Sequence, residues 1–318
     1  MNAALYHSSQ HLKGNEIYPI SENCPICNEK SNRSKSSIIQ HNPDIWLMTC
    51  DYCKGSFASF MPHKEILDNY YAHYYSGDSS PAITFNDATR FARHILKPLN
   101  FNKREKISIL DFGGGGGDIS YAVAKEIINK CPNTKVDIMI IDYENTEMKV
   151  DGNIVINSKR ELSDIVYESY DFVIASAVLE HIPDFYKTIT TLFSMVKENG
   201  YFYARTPYVE PFMRLSNKID MTYPGHLYDL GGNYWNNIIK TYNLNAVILN
   251  SRPSIVESGF NQSFFRTLMA YILKVPGYLE SKFFPTKNKI YWKWVGGWEI
   301  YLKFPKDNIT TNIVELDK

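Results

Sequence analysis

The chain has 318 residues, enough to bury a core and to hold one large or two unequal domains, and its 44% hydrophobic and 21% charged content is that of a soluble globular protein. Basic and acidic residues balance to a formal net charge of zero, which removes the broad electrostatic attraction used by nucleic-acid binders and leaves only a local patch for such a role. The first residues show no basic region ahead of an apolar core, and no run of about 18 apolar residues follows, so the sequence reads as cytoplasmic, without a signal peptide or a spanning helix.

In chain order, the first distinctive feature is cysteine spacing. Cys24 and Cys27 form one CxxC pair and Cys50 and Cys53 another, about twenty residues further on. In a reducing compartment disulfides are disfavoured, and two such knuckles can offer four thiolates to one tetrahedral structural zinc ion. A redox CxxC and unrelated buried thiols are the competing readings. Cys131, before a proline, reads as a loop or helix-end residue.

Next, "KISILDF" is short, β-branched and apolar, and predicts a buried strand. Five consecutive glycines follow, from Gly113 to Gly117. Beyond them Ile119, Val123 and Ile127 recur at helical spacing, so "DISYAVAKEIINK" predicts an amphipathic helix. A strand, a glycine loop and a helix let backbone N–H groups and a helix N-terminus meet a ligand directly. "KVDIMIIDY" predicts a second strand ending at Asp142, where a carboxylate can accept from ribose hydroxyls. "GNIVIN" reads as a third strand, and "YDFVIASAVLEHIPD" as a fourth running into a helix. "GYFYARTPY" reads as a fifth, introduced by a helix end capped at Gly200. "NAVILNSRPSIVE" and "GGWEIYLKFP" supply a sixth and seventh. Alternation of strands and helices predicts an α/β fold with a doubly wound, Rossmann-like seven-stranded sheet whose ligand site lies at the carboxyl strand ends.

The run "LDFGGGGGD", Asp142 at the second strand end and "VLEHIPD" after the fourth resemble the class I S-adenosylmethionine-dependent methyltransferases. Asp111, Gly113, Gly115 and Gly117 follow their D-x-G-x-G-x-G form better than the G-x-G-x-x-G of nicotinamide-binding domains. Upstream, the two cysteine pairs and "ILDNYYAHYY" resemble the zinc-ribbon unit that precedes this domain in bacterial sugar, polysaccharide and secondary-metabolite enzymes. Lys54 departs from the glycine common after the second knuckle. The resemblance covers residues 20 to 250 and implies the reaction rather than the substrate.

It also implies roles. Gly113, Gly115 and Gly117 would let the backbone pass close to the methionine part of S-adenosylmethionine. Asp111 would orient that loop near the cofactor's amino group, Asp142 would bind its ribose, and Ser176 would lie beside it. For a hydroxyl acceptor a base is needed, and histidine suits that task. His226 in "TYPGHLYD" and His181 in "LEHIPD" are the candidates, with His226 ahead. Arg205, Tyr208, Tyr223 and Tyr228 are candidates for holding sugar hydroxyls or a phosphate. The sequence after the fourth strand lacks the [DN]-P-P-[YF] of enzymes that methylate amino groups of bases and glutamines, so the substrate atom reads as oxygen. Carbon stays open, because some sugar C-methyltransferases also carry a zinc-binding N-terminal domain.

These readings divide the chain into a zinc-ribbon domain with a linker helix (1–85), the methyltransferase domain (86–257 plus 296–306), an aromatic insert (258–295) and a mobile tail (307–318). The insert is read as a lid over the pocket or as an interfacial membrane surface. Expected partners are a small-molecule or glycan acceptor, lipid-linked if the insert meets a membrane. An RNA base methyltransferase and a non-catalytic S-adenosylmethionine-binding scaffold are the other classes. The sequence fixes neither acceptor nor oligomeric state.

Overall fold

A computed structural model describes residues 10–76, 87–101, 104–143, 148–165, 169–213, 221–254, 264–284, 292 and 295–306. The tail reading at 307–318, residues 258–263, Tyr291 and Trp294 lie outside the described residues, as do the side chains of Phe264, Phe265 and Tyr271.

The N-terminal part is built from short antiparallel strands: β1 (Ile17–Pro19), β2 (Arg33–Gln40), β3 (Ile45–Cys50), β4 (Ser56–Ala58) and β5 (Phe60–Pro62). Helices α1 (Lys64–Ser76) and α2 (Ala88–Leu96) follow. The side chain of Asp87 caps α2 by accepting from the Arg90 N–H. The α/β part then runs β6 (Lys106–Phe112), α3 (Asp118–Lys130), β7 (Lys135–Ile141), β8 (Lys149–Asp151), β9 (Ile154–Lys159), β10 (Tyr170–Ser176), α4 (Phe185–Ser194) and β11 (Val196–Tyr208). After a short α5 (Glu210–Met213) come β12 (Tyr228–Asp229), α6 (Gly232–Asn236), α7 (Ile238–Tyr242), β13 (Val247–Pro253), α8 (Phe264–Phe283) and β14 (Gly296–Lys303).

The main sheet has the order β13-β14-β11-β10-β6-β7-β9-β8. The five strands β6, β7, β9, β10 and β11 are parallel, whereas β14 runs antiparallel to β11 and to β13. Seven of the eight strands are those expected. The eighth, β8, pairs antiparallel with β9 across a turn at Gly152, and its exposed Lys-Val-Asp carries no apolar signal. The chain moves outward from β6 through β7 to β9, then returns to the other side of β6 with β10. That reversal opens a crevice at the carboxyl ends of β6 and β10, where open α/β sheets bind ligands.

Side chains alternate across the sheet. Ile107 and Ile109 of β6 join a core with Phe91, Ile95 and Val123 of α2 and α3, while Leu110 and Phe112 join a second core on the opposite face. This second core is continuous with the N-terminal part: Ile26, Leu47 and Phe57 belong to the same cluster as Phe185, Tyr228, Tyr234 and Trp235. The link is also a backbone ladder, because β12 pairs antiparallel with β4, Tyr228 opposite Phe57 and Asp229 opposite Ser56.

Gly200 does not cap a helix. The preceding helix ends at Ser194, and residues 196–200 already belong to β11. The left-handed turn falls on Asn199, with φ at 58°. A Cβ on Gly200 would sit 2.7 Å from the Lys197 carbonyl oxygen, so glycine is required by a close approach inside an irregular strand.

Candidate active site

The glycine loop closes the carboxyl end of β6. Gly113, Gly115 and Gly117 all have positive φ, at 72°, 54° and 81°. At Gly113 and Gly117 space also forbids a side chain, since a Cβ would lie 2.4 Å from Val178 Cγ2 and 2.4 Å from Ile140 Cδ1 respectively. Gly115 differs: a Cβ there, or on Gly116, would meet nothing within 4 Å. The middle of the loop therefore borders open space. The Gly115 N–H donates to Asp142 Oδ2 at 2.8 Å, so the carboxylate after β7 staples the loop.

Asp111, at the base of this loop, is 2% exposed, and its Oδ2 has no hydrogen-bond partner among the described residues. Burial pushes its carboxyl up to about 6; Ser120 opposes by hydrogen bonding, and the charge of Asp142 adds to the rise. Ser176 closes β10, and its buried Oγ likewise has no partner among the described residues. A loop with open Cβ positions and two buried orphan polar atoms fits a ligand carrying an ammonium and a carboxylate.

Across the crevice lies a second group. Val178, which seats Gly113, leads into a 3-10 turn at Leu179–His181. His181 points Nδ1 at the Gly225 carbonyl oxygen, 2.5 Å away, and its Nε2 lies 3.9 Å from Glu180 Oε1. The rings of His181 and His226 are 4.9 Å apart between centroids. His226 Nδ1 is 3.0 Å from Thr222 Oγ1. The segment carrying His226 is held at Leu227, whose N–H donates to the Glu180 carbonyl and whose carbonyl accepts from the Ala58 N–H. One ligating atom from each of Glu180, His181 and His226 falls within 4.8 Å of the others. Glu180 is 2% exposed, and burial pushes its carboxyl up to about 7 against its own backbone N–H and the charge of Arg205. Burial also pushes His181 below the usual imidazole range, with the Gly225 hydrogen bond opposing.

A family model described as a methyltransferase domain matches residues 85–247. The chain belongs to the methyltransferase domain family. Its fold is that of the class I, S-adenosylmethionine-dependent type. The ubiquinone biosynthesis O-methyltransferase of Shewanella sp. (strain ANA-3) is 28% identical over 122 residues, which cover 36% of this chain and 52% of that protein. The chain thus spans about half the length of this curated relative. Among solved structures, coclaurine N-methyltransferase bound to N-methylheliamine and SAH is similar at 13% identity and a TM-score of 0.41, over 68% of this chain and 70% of that one. YcgJ from Bacillus subtilis is similar at 12% identity and a TM-score of 0.41, over 69% of this chain and 100% of that one. The plantazolicin methyltransferase BpumL in complex with SAH is similar at 14% identity and a TM-score of 0.40, over 76% and 90%.

Within this methyltransferase domain the two candidate histidines come together, next to the glycine loop. The candidate tyrosines do not join them. Tyr228 is fully buried and donates its hydroxyl to the Pro183 carbonyl at 2.8 Å. Tyr223 is buried and donates to the Phe60 carbonyl at 3.2 Å. Tyr208 packs its ring against Gly231 and edge-on to Trp298. All three hold the core instead of facing an acceptor. Arg205 is 9% exposed on β11, beside Ser176 of β10, and its charge bears on both Glu180 and Lys274 of α8.

Three residues that motif reading passes over belong to the site: Glu180, Thr222 and Tyr71. Tyr71, from α1, donates to the Gly225 carbonyl at 3.1 Å, meets His181 edge-on at 6.0 Å and stacks on Tyr143, the residue after Asp142, at 6.4 Å. It links the histidine pair to the chain just after β7 that carries Asp142. Its only sequence signal is its place in "ILDNYYAHYY".

The four cysteines of the N-terminal part form a buried cluster. Cys24 and Cys53 Sγ lie 3.9 Å apart, as do Cys27 and Cys50, and Ser31 Oγ is 2.9 Å from Cys50 Sγ. After each pair the chain turns left-handed, at Asn28 and at Lys54 with φ of 60° and 64°. The position that departs from glycine in sequence is thus one where glycine would be relaxed, and Lys54 holds it with its N–H on the Cys50 carbonyl.

Proposed function

We propose that the chain transfers the methyl group of S-adenosylmethionine to a hydroxyl oxygen of a sugar, glycan or related small molecule. The observation that supports this is the adjacency of the open, glycine-lined loop to the Glu180–His181–His226 group, joined through the Gly113–Val178 contact. Gly113, Gly115, Gly117, Asp111 and Ser176 would hold the amino-acid part of S-adenosylmethionine, and Asp142 its ribose. Bound there, it supplies an electrophilic methyl on a sulfonium. The acceptor hydroxyl lies against the histidines and loses its proton there as the O–C bond forms and the C–S bond breaks, leaving S-adenosylhomocysteine. His226 would take that proton, with His181 beside it.

Cys24, Cys27, Cys50 and Cys53 would hold one structural zinc ion, because tetrahedral Zn–S bonds of about 2.3 Å place sulfurs roughly 3.8 Å apart. The exposed stripe of Leu268, Ile272, Val275, Leu279 and Phe283 on α8, with the Lys282 ammonium 5.9 Å from the Phe283 ring centroid, supports a membrane surface as partner and a lipid-linked acceptor.

Calorimetry with S-adenosylmethionine tests the first half. Gly115→Val fills the open face of the loop and should abolish measurable binding, and Asp142→Ala should weaken it at least about tenfold. Wild-type affinity in both variants rejects the reading. The second half is tested by turnover: His226→Ala should lower kcat by about 10² to 10⁴ with cofactor affinity retained. The methylated product, analysed for O- against C-methylation and with RNA as a competing acceptor, decides among the acceptor classes; cofactor binding without any product would leave a scaffold.

A further inference from the structure

We infer that Glu180, His181 and His226 form a site for one divalent first-row transition-metal ion on the acceptor side of the crevice. Three observations carry this. First, the ligating atoms converge to within 4.8 Å. Three ligands about 2.1 Å from one ion lie roughly 3.0 to 3.6 Å from one another, so side-chain adjustments of up to about 1 Å close the site.

Second, both rings are already oriented as ligands are. The Gly225 carbonyl can only accept, so His181 Nδ1 carries the proton and Nε2, facing Glu180, carries the lone pair. Thr222 donates its hydroxyl to the Met221 carbonyl at 2.6 Å, so its oxygen accepts from His226 Nδ1 and the lone pair falls on His226 Nε2. Metal-bound histidines show this pattern, with the second ring nitrogen donating to a carbonyl or hydroxyl that fixes the tautomer.

Third, Glu180 is only 2% exposed, and its Oε2 has no hydrogen-bond partner among the described residues. A buried carboxylate with one oxygen unpartnered is costly, and a cation between it and two imidazoles would offset that cost. Two imidazoles and one carboxylate favour transition ions over Mg²⁺ or Ca²⁺, and three protein ligands leave positions open for an acceptor oxygen.

This deepens the proposed function and rests on it for its purpose. An ion here would bind the acceptor hydroxyl and lower its pKa, so that with the ion bound the hydroxyl's proton passes to solvent water and the histidines act as ligands. The test is Mn²⁺ titration of the zinc-loaded full chain, read by the electron paramagnetic resonance of free Mn²⁺, with Co²⁺ as a second probe. Mn²⁺ competes poorly for thiolates, which keeps the four cysteines out of the count. We expect one ion per chain. Glu180→Gln, which keeps the side chain's size, should weaken binding at least about tenfold. Thr222→Ala keeps all three ligands and should weaken it about 10- to 100-fold through loss of His226 orientation. Absence of binding by both ions overturns the inference, as does wild-type affinity in a Glu180→Gln protein whose zinc content and S-adenosylmethionine affinity are intact. Failure to bind metal with S-adenosylmethionine binding preserved rejects the ion alone and leaves the methyltransferase reading standing.

Discussion

Asp111 shows how one buried carboxylate links the cofactor site to acidity. Its folded pKa of about 6 lies above the ordinary aspartate value of 3.8, so between these two pH values the folded chain holds more protons than the unfolded one. Stability conferred by the neutral acid is therefore full below about pH 4 and falls as pH rises to about 6, by an amount on the order of 3 kcal/mol. Equilibrium unfolding across that window should show this slope, and Asp111→Asn should flatten it. Cofactor binding has the opposite sign. An ammonium beside Asp111 favours the carboxylate, so S-adenosylmethionine affinity should weaken as pH drops through about 6 and lose that dependence in Asp111→Asn. At this scale the sequence was informative wherever backbone shape dictated the residue. Gly113, Gly115 and Gly117 announce themselves because left-handed φ disfavours other residues at all three and close approach excludes a side chain at Gly113 and Gly117. Glu180 and Thr222 do not, because a carboxylate or hydroxyl is ordinary in a polar turn until folding brings His226 across to it. Tyr223 and Tyr228 show the converse: a tyrosine near a site in sequence can spend both ring and hydroxyl on the core, and Tyr208 spends its ring there.

Among the elements, the parallel strands were legible because strands buried on both faces must be apolar, as in the fully buried Phe172-to-Ala175 stretch of β10. β8 was not, being a three-residue edge whose side chains are all exposed. The aromatic insert was legible only as unusual composition; as a helix it has two distinct sides. One side is docked: the Trp292 indole donates to the Leu273 carbonyl at 2.5 Å, Gly277 sits close to Pro253 and Val295, and Lys274 is 9% exposed. The other is the outward stripe ending at Phe283, 65% exposed, and Phe284. If that stripe lies on a membrane, the protein should sediment with anionic liposomes at low salt and release as salt rises. Ile272→Glu with Phe283→Glu should abolish sedimentation without changing cofactor affinity. Sedimentation unaffected by the double substitution would reject a role for α8, and a shift from dimer to monomer in the variant would identify the stripe as a contact between copies instead.

On the scale of the whole molecule, the N-terminal strands and the sheet share one core and one ladder. The first cysteine knuckle accepts from Tyr242 of α7 on the Ile26 carbonyl, at 2.6 Å, and the second from Asn237, at the boundary of α6 and α7, on the Tyr52 carbonyl, at 2.9 Å. Between them, Gly55 is pressed by Ile26, Leu230 and Tyr234. If the four cysteines hold the proposed zinc ion, serine at both Cys24 and Cys27 should release it, loosen the β4–β12 ladder and with it the segment carrying His226. We expect turnover to fall further than cofactor affinity, measurable as lost kcat with the dissociation constant for S-adenosylmethionine changed only a few-fold. A variant that lost metal yet kept full turnover would show that the ladder stands without it. The same ladder bears on inheritance. Because two residues far along the chain complete a sheet begun near its start, a recombination breakpoint between the helices α1 and α2 would hand a recipient only half of an interlocked pair. Chimaeras that exchange residues up to about 85 for those of a distant relative should fold only when the stretch from 221 to 242 travels with them, so these two segments are bound to diverge together although some 140 residues separate them.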